Sequence, residues 1–411
     1  MVRLGGPHLI KWIESVLFAV GGNRIAARSP IIDIGERYER DGVSVVYLRG
    51  NAYQRGFQHG YLCRDDLERF RKIAWNYAPK TATERLGVPM WIARYIKYLL
   101  FVLAGSYLPN LNPDVREEMQ GLSDGADVDI REVAVLTLIW EIFAIFPAQP
   151  AKKPEHCSEI AIDQTRSKDG LFGYNYDVLV ASDRSLVEGF MALFVVEPSD
   201  GGSGYIAPNT IGSIGLNTAL NQAGVVFGWD NSYLKPGVSK GGNKTPYMVL
   251  LREIALHAHS REDALARFRQ EQRQEADISV VLDHDGASVV EIAGIQVADR
   301  TAAIVWSCNR LQTLATLDYE QVGRVPDGRH TRYQTLVNGL NQTTVNAADL
   351  AAILRDGDTE NGRPIASSNT AFTAIYDLAG TVWLSFEGSP SSCQQLYAFD
   401  TTGQRREDKD L

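Results

Sequence analysis

Cys157 opens the run Cys157-Ser158-Glu159-Ile160-Ala161, which reads as a strand, and Lys168-Asp169-Gly170 supplies the turn into a second strand from Leu171 to Tyr176. An antiparallel hairpin sets the start of one strand beside the end of the next. The thiol of Cys157 and the carboxylate of Asp177 are therefore expected to be neighbours. A thiol placed this way could attack a carbonyl carbon, so the chemistry in view is cleavage of an amide or transfer of its acyl group. The thiolate is the reactive species and has to be generated by a base or a nearby positive charge. A carboxylate can orient that base.

The base is the open question. His156 adjoins Cys157, but neighbours on a strand point to opposite faces. His59, His284 and His330 lie far off in sequence. Cutting the His156–Cys157 bond would free an α-amine on Cys157 itself, with an ordinary pKa of about 7.7–8.0, close enough to neutral for base work. The connector Ala148-Gln149-Pro150-Ala151-Lys152-Lys153-Pro154-Glu155-His156 has the composition of an accessible loop. Taken alone, the same residues have plainer readings. A cysteine at a strand start is a small buried residue, Asp177 a turn residue, and Asn231 and Asn309 loop caps. Arg332 is a solvated helix charge pairing with Asp327, and Gly56 to Gly60 serve tight packing. His257 and His259, two apart, cannot share a helix face and read as surface residues, not metal ligands. Gly241-Gly242 with Lys244 lacks the spacing of a phosphate loop.

The elements that must position these groups come from a chain of 411 residues with ordinary globular composition, 45% hydrophobic and 22% charged. Net charge is −9 and no basic run is sustained, which argues against a nucleic-acid partner. Cys63, Cys157, Cys308 and Cys393 are far apart with no CxxC pair, so neither a disulfide framework nor a cysteine zinc site is expected. A single working thiol fits a reducing, cytoplasmic compartment. Near the N-terminus, Glu14 interrupts a short apolar run, which reads as an amphipathic helix rather than a signal peptide. The apolar segment from Trp91 to Leu108 contains Arg94 and Lys97 between Pro89 and Pro109, and no membrane-spanning segment is expected. It reads as a buried or surface-lying helix, with a lipid-facing helix at a substrate mouth as the second reading.

Ahead of Cys157 the pattern is mostly helical, with a strand over 43–48 and helices after Gly50, over 113–126 and over 130–146. Beyond it strands dominate, over 158–163, 171–176, 191–196, 213–220 and 225–229. Two helices follow at 247–258 and 261–270, the second capped by Ser260. Strands resume over 278–282, 289–292, 303–307, 372–377 and 381–386. Strands, two helices and strands again predict an α+β fold with two stacked sheets covered by helices.

Five ordered motifs carry a family resemblance. They are Gly50-Asn51-Ala52-Tyr53-Gln54-Arg55-Gly56-Phe57-Gln58-His59-Gly60, the hairpin from Cys157 to Asp177, Gly215-Leu216-Asn217 with Asn221-Gln222-Ala223-Gly224-Val225-Val226 and then Asn231, Cys308-Asn309, and Thr331-Arg332-Tyr333. Over most of its length the chain resembles the N-terminal-nucleophile hydrolases. The likeness is to the self-processing acyltransferase and peptidase family of acyl-coenzyme A:isopenicillin N acyltransferase, related to the choloylglycine hydrolases and acid ceramidases. The resemblance implies a four-layer αββα sandwich of two mainly antiparallel sheets. Residues 1–156 would form a helical pro-segment or small subunit and 157–411 the catalytic part, the two held in one structural domain. It further implies a zymogen cut between His156 and Cys157, with Cys157 as nucleophile and its amine as base. Asp177 would hold that amine and Asn175 support it. Asn309 and Asn231 would donate to the oxyanion, with Asp230 a rival for the place of Asn231, and Arg332 would anchor the carboxylates or polarise the thiol. Two departures stand out: Tyr174 where choloylglycine hydrolases have arginine, and His156 where glycine commonly precedes the nucleophile. The function implied is an amidohydrolase on a linear, non-peptide amide. An amine acyltransferase, with acyl-coenzyme A as a donor by analogy, and a catalytically silent binding relative are the alternatives. No cofactor or metal is implied. The partners are a small-molecule amide or acyl donor and the two fragments for each other, with a homo-oligomer left open.

Overall fold

The computed structural model describes residues 34–87, 89–138, 157–177, 189–232, 245–272, 276–315, 318, 327–340, 344–357, 364–366, 369–386 and 395–411. The strands, in chain order, are β1 (Glu36–Arg40), β2 (Val43–Gly50), β3 (Ser158–Ile162), β4 (Leu171–Asp177), β5 (Met191–Pro198), β6 (Tyr205–Thr210), β7 (Thr218–Asn221), β8 (Val226–Gly228), β9 (Asp230–Ser232), β10 (Ala276–Asp283), β11 (Gly286–Ala293), β12 (Gln296–Thr301), β13 (Ile304–Ser307), β14 (Thr370–Asp377), β15 (Thr381–Ser385) and β16 (Tyr397–Asp400). They form two sheets. The larger runs β1-β2-β5-β6-β7-β8-β10-β11-β12 with β9 also paired to β10, and the smaller runs β13-β3-β4-β14-β15-β16. All pairings are antiparallel except β2 with β5. Through that parallel pair, the segment preceding Cys157 contributes β1 and β2 to the larger sheet.

Strand alternation sorts the apolar side chains into three cores, and the three cores define four layers. On β2, Val43 and Val45 face the smaller sheet, while Val46 and Leu48 face a helical layer. On β3 and β4, Ala161, Phe172 and Tyr174 enter the space between the sheets. Ile160, Ile162 and Leu171 instead pack on a second helical layer. The helices of the first layer include α1 (Ala52–Leu62), α2 (Arg64–Leu86), α3 (Met90–Ala93), α4 (Ile96–Tyr107), α5 (Pro113–Ala126), α6 (Ile130–Thr137), α7 (Tyr247–His257) and α8 (Arg261–Phe268). The second layer contains α9 (Asp327–Gly339) and α10 (Ala347–Leu354). The αββα arrangement is the one expected.

Several elements departed from the sequence pattern for identifiable reasons. The expected strand over 213–220 begins only at Thr218, because Asn209 donates its side-chain amide to the carbonyls of Ser213 (3.1 Å) and Gly215 (2.9 Å) and folds that stretch as a turn. The edge strands β1 and β12 are polar and half-exposed and show no apolar alternation, so they were not anticipated; neither were β6 and β16. The helix expected over 130–146 is described as far as Thr137, and the rest lies outside the described residues. Ser260 caps α8 as expected, accepting from the Asp263 amide at 3.1 Å.

The glycines of the first motif serve helix packing. Gly56 and Gly60 on α1 meet Gly121 and Gly125 on α5 so closely that a Cβ added at any of the four would lie between 1.9 and 2.3 Å from a carbonyl oxygen of the facing helix. Asn51 starts α1 with a reciprocal capping box to Gln54. At the same junction Arg55 and Arg252, both buried, enclose Glu118. Gly121→Ala should therefore force the two backbones apart and destabilise the protein by roughly 2–4 kcal/mol. Denaturant unfolding against wild type measures this, and an unchanged midpoint would show that the helices can separate without cost.

Candidate active site

The hairpin predicted from the sequence forms, with Ser158 opposite Asn175 and Ile162 opposite Leu171. Cys157 lies just before β3 with its thiol buried, 3.8 Å from the carbonyl oxygen of Asp177 and 3.9 Å from the Tyr174 hydroxyl. Tyr174 donates to the Trp229 carbonyl at 2.7 Å, tying the thiol's surroundings to the facing sheet. Burial pushes the Cys157 thiol well above its ordinary pKa, and the negative fields of Asp230 and Asp177 add to this. The thiol is thus held protonated.

A single guanidinium binds this corner together, and it belongs to Arg329. Arg329 donates to the Cys157 carbonyl (3.1 Å), to Asp177 Oδ2 (3.1 Å) and to the Ile365 carbonyl (2.7 Å), and lies 3.5 Å from Cys308 Sγ and 3.4 Å from Asn309 Oδ1. It is 3% exposed. Arg332, which the motif singled out, points elsewhere. It forms a paired, partly buried contact with Asp356 at 3.0 and 2.8 Å. The helical period could have distinguished the two, since Arg329, Tyr333 and Val337 fall on one buried stripe of α9 and Arg332 lies off it.

Asp177 has one carboxylate oxygen on Arg329, while the other is buried with no hydrogen-bond partner among the described residues. Burial raises its pKa to about 6, against the opposing pull of Arg329 and Thr370. Asn175 is buried on the far face of β4, donating to the Leu354 carbonyl (2.8 Å) and accepting from Thr373 (2.7 Å). The structure does not bring its side chain to the thiol.

Asp230, rather than Asn231, turns its side chain inward. It accepts from Ser307 Oγ (2.7 Å), from the Asn309 backbone amide (2.6 Å) and from the Asn309 side-chain amide. Asn309 adopts a positive φ of 57°, and its side-chain amide also donates to the Asn231 carbonyl at 3.0 Å. Asn231 presents Oδ1 to the same amide at 3.4 Å. Burial raises the Asp230 pKa to about 7. The sequence reading missed Ser307 and Arg329. Of the described histidines, His59 accepts from the Gly212 amide at 3.0 Å with burial lowering its pKa to about 4, His330 lies 3.4 Å from the Cys308 carbonyl, and His284 lies in the turn between β10 and β11; His156 lies outside the described residues.

The raised carboxyl group makes a stability prediction with a definite sign. Folded Asp230 keeps its proton up to about pH 7 whereas the unfolded group loses it near 3.8, so stability falls as pH rises between those values. Asp230→Asn cannot ionise and escapes this loss. Whatever constant cost the substitution carries, its stability relative to wild type should improve from about pH 4 to about pH 8. Thermal melts at the two pH values test this, and a pH-independent difference would contradict it.

Residues 164–392 match the family model described as acyl-coenzyme A:6-aminopenicillanic acid acyl-transferase, more than half of the chain. The chain belongs to this family. The matched stretch holds Asn175, Asp177, Asp230, Asn231, Asn309, Arg329 and Arg332, and Cys157 lies just before it. An uncharacterized protein of Archaeoglobus fulgidus is 24% identical over 302 residues, 66% of this chain and 46% of that protein, so the chain spans less than half the length of that relative. Among solved structures, a Caenorhabditis elegans ortholog of N-acylethanolamine-hydrolyzing acid amidase is similar over 54% of this chain and 92% of that one, at 10% identity and a TM-score of 0.41. A mutant of conjugated bile acid hydrolase from Clostridium perfringens is similar over 61% of this chain and 94% of that one, at 14% identity and a TM-score of 0.41.

Proposed function

We propose that this protein is a self-processed cysteine enzyme that cleaves or transfers the acyl group of a small, linear amide through a thioester on Cys157. The observation that carries the proposal is the Asp177 carboxylate. One oxygen is held by Arg329, the other is buried with no hydrogen-bond partner among the described residues, and the backbone carbonyl of the same residue lies 3.8 Å from the buried thiol. An unpaired buried carboxylate oxygen is costly, and an ammonium group on Cys157 would satisfy it. In the processing step the thiol attacks the His156 carbonyl, the Cys157 nitrogen leaves as an amine, and water hydrolyses the thioester to free the His156 carboxylate. The new amine then takes the thiol's proton, which burial otherwise holds in place.

In turnover the thiolate adds to the substrate carbonyl, and the departing amine takes back the proton. The acyl-thioester passes to water or to an amine acceptor. Asn231, whose oxygen faces Asn309, has its side-chain amide as donor to the oxyanion, and Asn309 positions it through Asp230. Arg329 holds Asp177 and the Cys157 carbonyl in place, and Asn175 supports β4 from its outer face. The family match makes amine acylation, with acyl-coenzyme A as donor, the second reading. Intact-mass analysis tests the proposal: a fragment beginning at Cys157, labelled on its thiol, is expected. A chain that stays whole under all conditions and takes no label at Cys157 would sink it. Adding an amine acceptor then separates the two outcomes, free acid for hydrolysis and a new amide for transfer.

A further inference from the structure

Among the described residues, ten large apolar or aromatic side chains are strongly exposed, and seven of them lie between Met90 and Val102. This concentration has a helical order. Ala93, Ile96, Leu100 and Ala104 form the buried stripe of α3 and α4, while Tyr95, Tyr98, Leu99 and Val102 repeat at the same spacing on the opposite side. A surface helix normally carries polar residues there, so a helix apolar on both faces is built to be covered twice. Trp91 is 69% exposed and Tyr95 53%, the two residue types that favour the boundary between water and hydrocarbon. No helix among the described residues is long and apolar enough to cross a membrane.

Charge decides which cover fits. In a chain of net charge −9, no aspartate or glutamate occurs between Glu84 and Asp114, and that stretch carries Arg85, Arg94 and Lys97. Lys97 pairs with Glu132 beneath the helix, whereas Arg94 is exposed among the aromatic residues. An exposed apolar face without acids, edged by an arginine whose stem can lie along it, suits an anionic lipid surface.

We propose that the outer face of α3 and α4 docks the protein on anionic bilayers, lying in the headgroup boundary without spanning it. This rests on exposure and charge alone and stands independently of the chemistry assigned to Cys157. The test is co-sedimentation of the full chain with vesicles of phosphatidylcholine alone or mixed with phosphatidylglycerol. Wild type should bind the mixed vesicles, less at high salt. The triple variant Trp91→Ser, Tyr95→Ser, Leu99→Ser should bind at least about tenfold more weakly with an unchanged melting temperature. Ile295→Ser, which removes an exposed apolar side chain elsewhere, should bind as wild type does. Wild type remaining in the supernatant would overturn the proposal, and equal binding to pure phosphatidylcholine would overturn the anionic preference. A wild-type dimer that the triple variant converts to monomer, without vesicle binding, would assign the face to a second copy instead.

Discussion

Cys157→Ala should yield a single uncut chain and lose amide turnover by about four orders of magnitude or more. Both effects follow from one atom, because the sulfur is assigned the attack on the His156 carbonyl and, once freed, the attack on substrate. Stability should change little, since alanine fits the space of a small buried side chain and the Arg329 contact runs to the backbone carbonyl of residue 157. Melting temperature beside intact mass separates loss of chemistry from loss of fold. A Cys157→Ala chain that is still cut before residue 157 would mean that another group or another protease does the processing. Cys157→Ser refines the result, because a hydroxyl keeps the geometry but is the weaker nucleophile, and slow partial cutting is the expected outcome.

The second large effect separates two arginines one helical turn apart. Arg329→Met should destabilise the protein by about 3–5 kcal/mol, because it strands the buried Asp177 carboxylate and removes the donor to the Cys157 carbonyl. Activity should fall at least about a hundredfold. Arg332→Gln breaks a partly exposed pair with Asp356 and should cost about 1 kcal/mol or less, with near-normal turnover. The pH profile distinguishes a positioning role for Arg329 from a merely structural one. Arg329 opposes the rise in the Asp177 pKa, so in its absence Asp177 should hold its proton to higher pH and move the acid limb of the activity profile upward. Arg329→Lys keeps the charge but cannot span the contacts that the guanidinium fork makes, so partial rescue is expected. Equal losses from Arg329→Met and Arg332→Gln would show that the motif, and not the buried stripe of α9, marks the functional arginine.

Local pattern made much of this protein legible. The turn at Lys168-Asp169-Gly170 and the two short strands around it were enough to set Cys157 beside Asp177, because hairpin geometry depends on residues close in sequence. The same holds for the Ser260 cap and for the layer order, which alternation along β2, β3 and β4 already encodes. The polar edge strands β1 and β12 escaped notice because an edge with little buried on either face carries no such alternation.

What only the tertiary structure decided is which side chains converge on the thiol. Asn175 sits two positions from Asp177 on β4, yet its amide is spent on Leu354 of the outer helical layer and on Thr373 of the adjoining strand β14. Asp230 and Asn231 are neighbours on β9, and pairing with β10 turns the carboxylate of Asp230 onto Ser307 and Asn309. Arg329 reaches Cys157 across more than a hundred and fifty residues of chain. The amino-acid sequence by itself thus determined the hairpin that carries Cys157 and the sandwich, because both arise from short-range geometry and periodic burial. That the side chain of Arg329 and not of Arg332 reaches Cys157, and that Asp230 turns inward onto Ser307 and Asn309, waited on the docking of α9 and β9 in the sandwich. That docking depends on the packing of two sheets, which no local pattern carries.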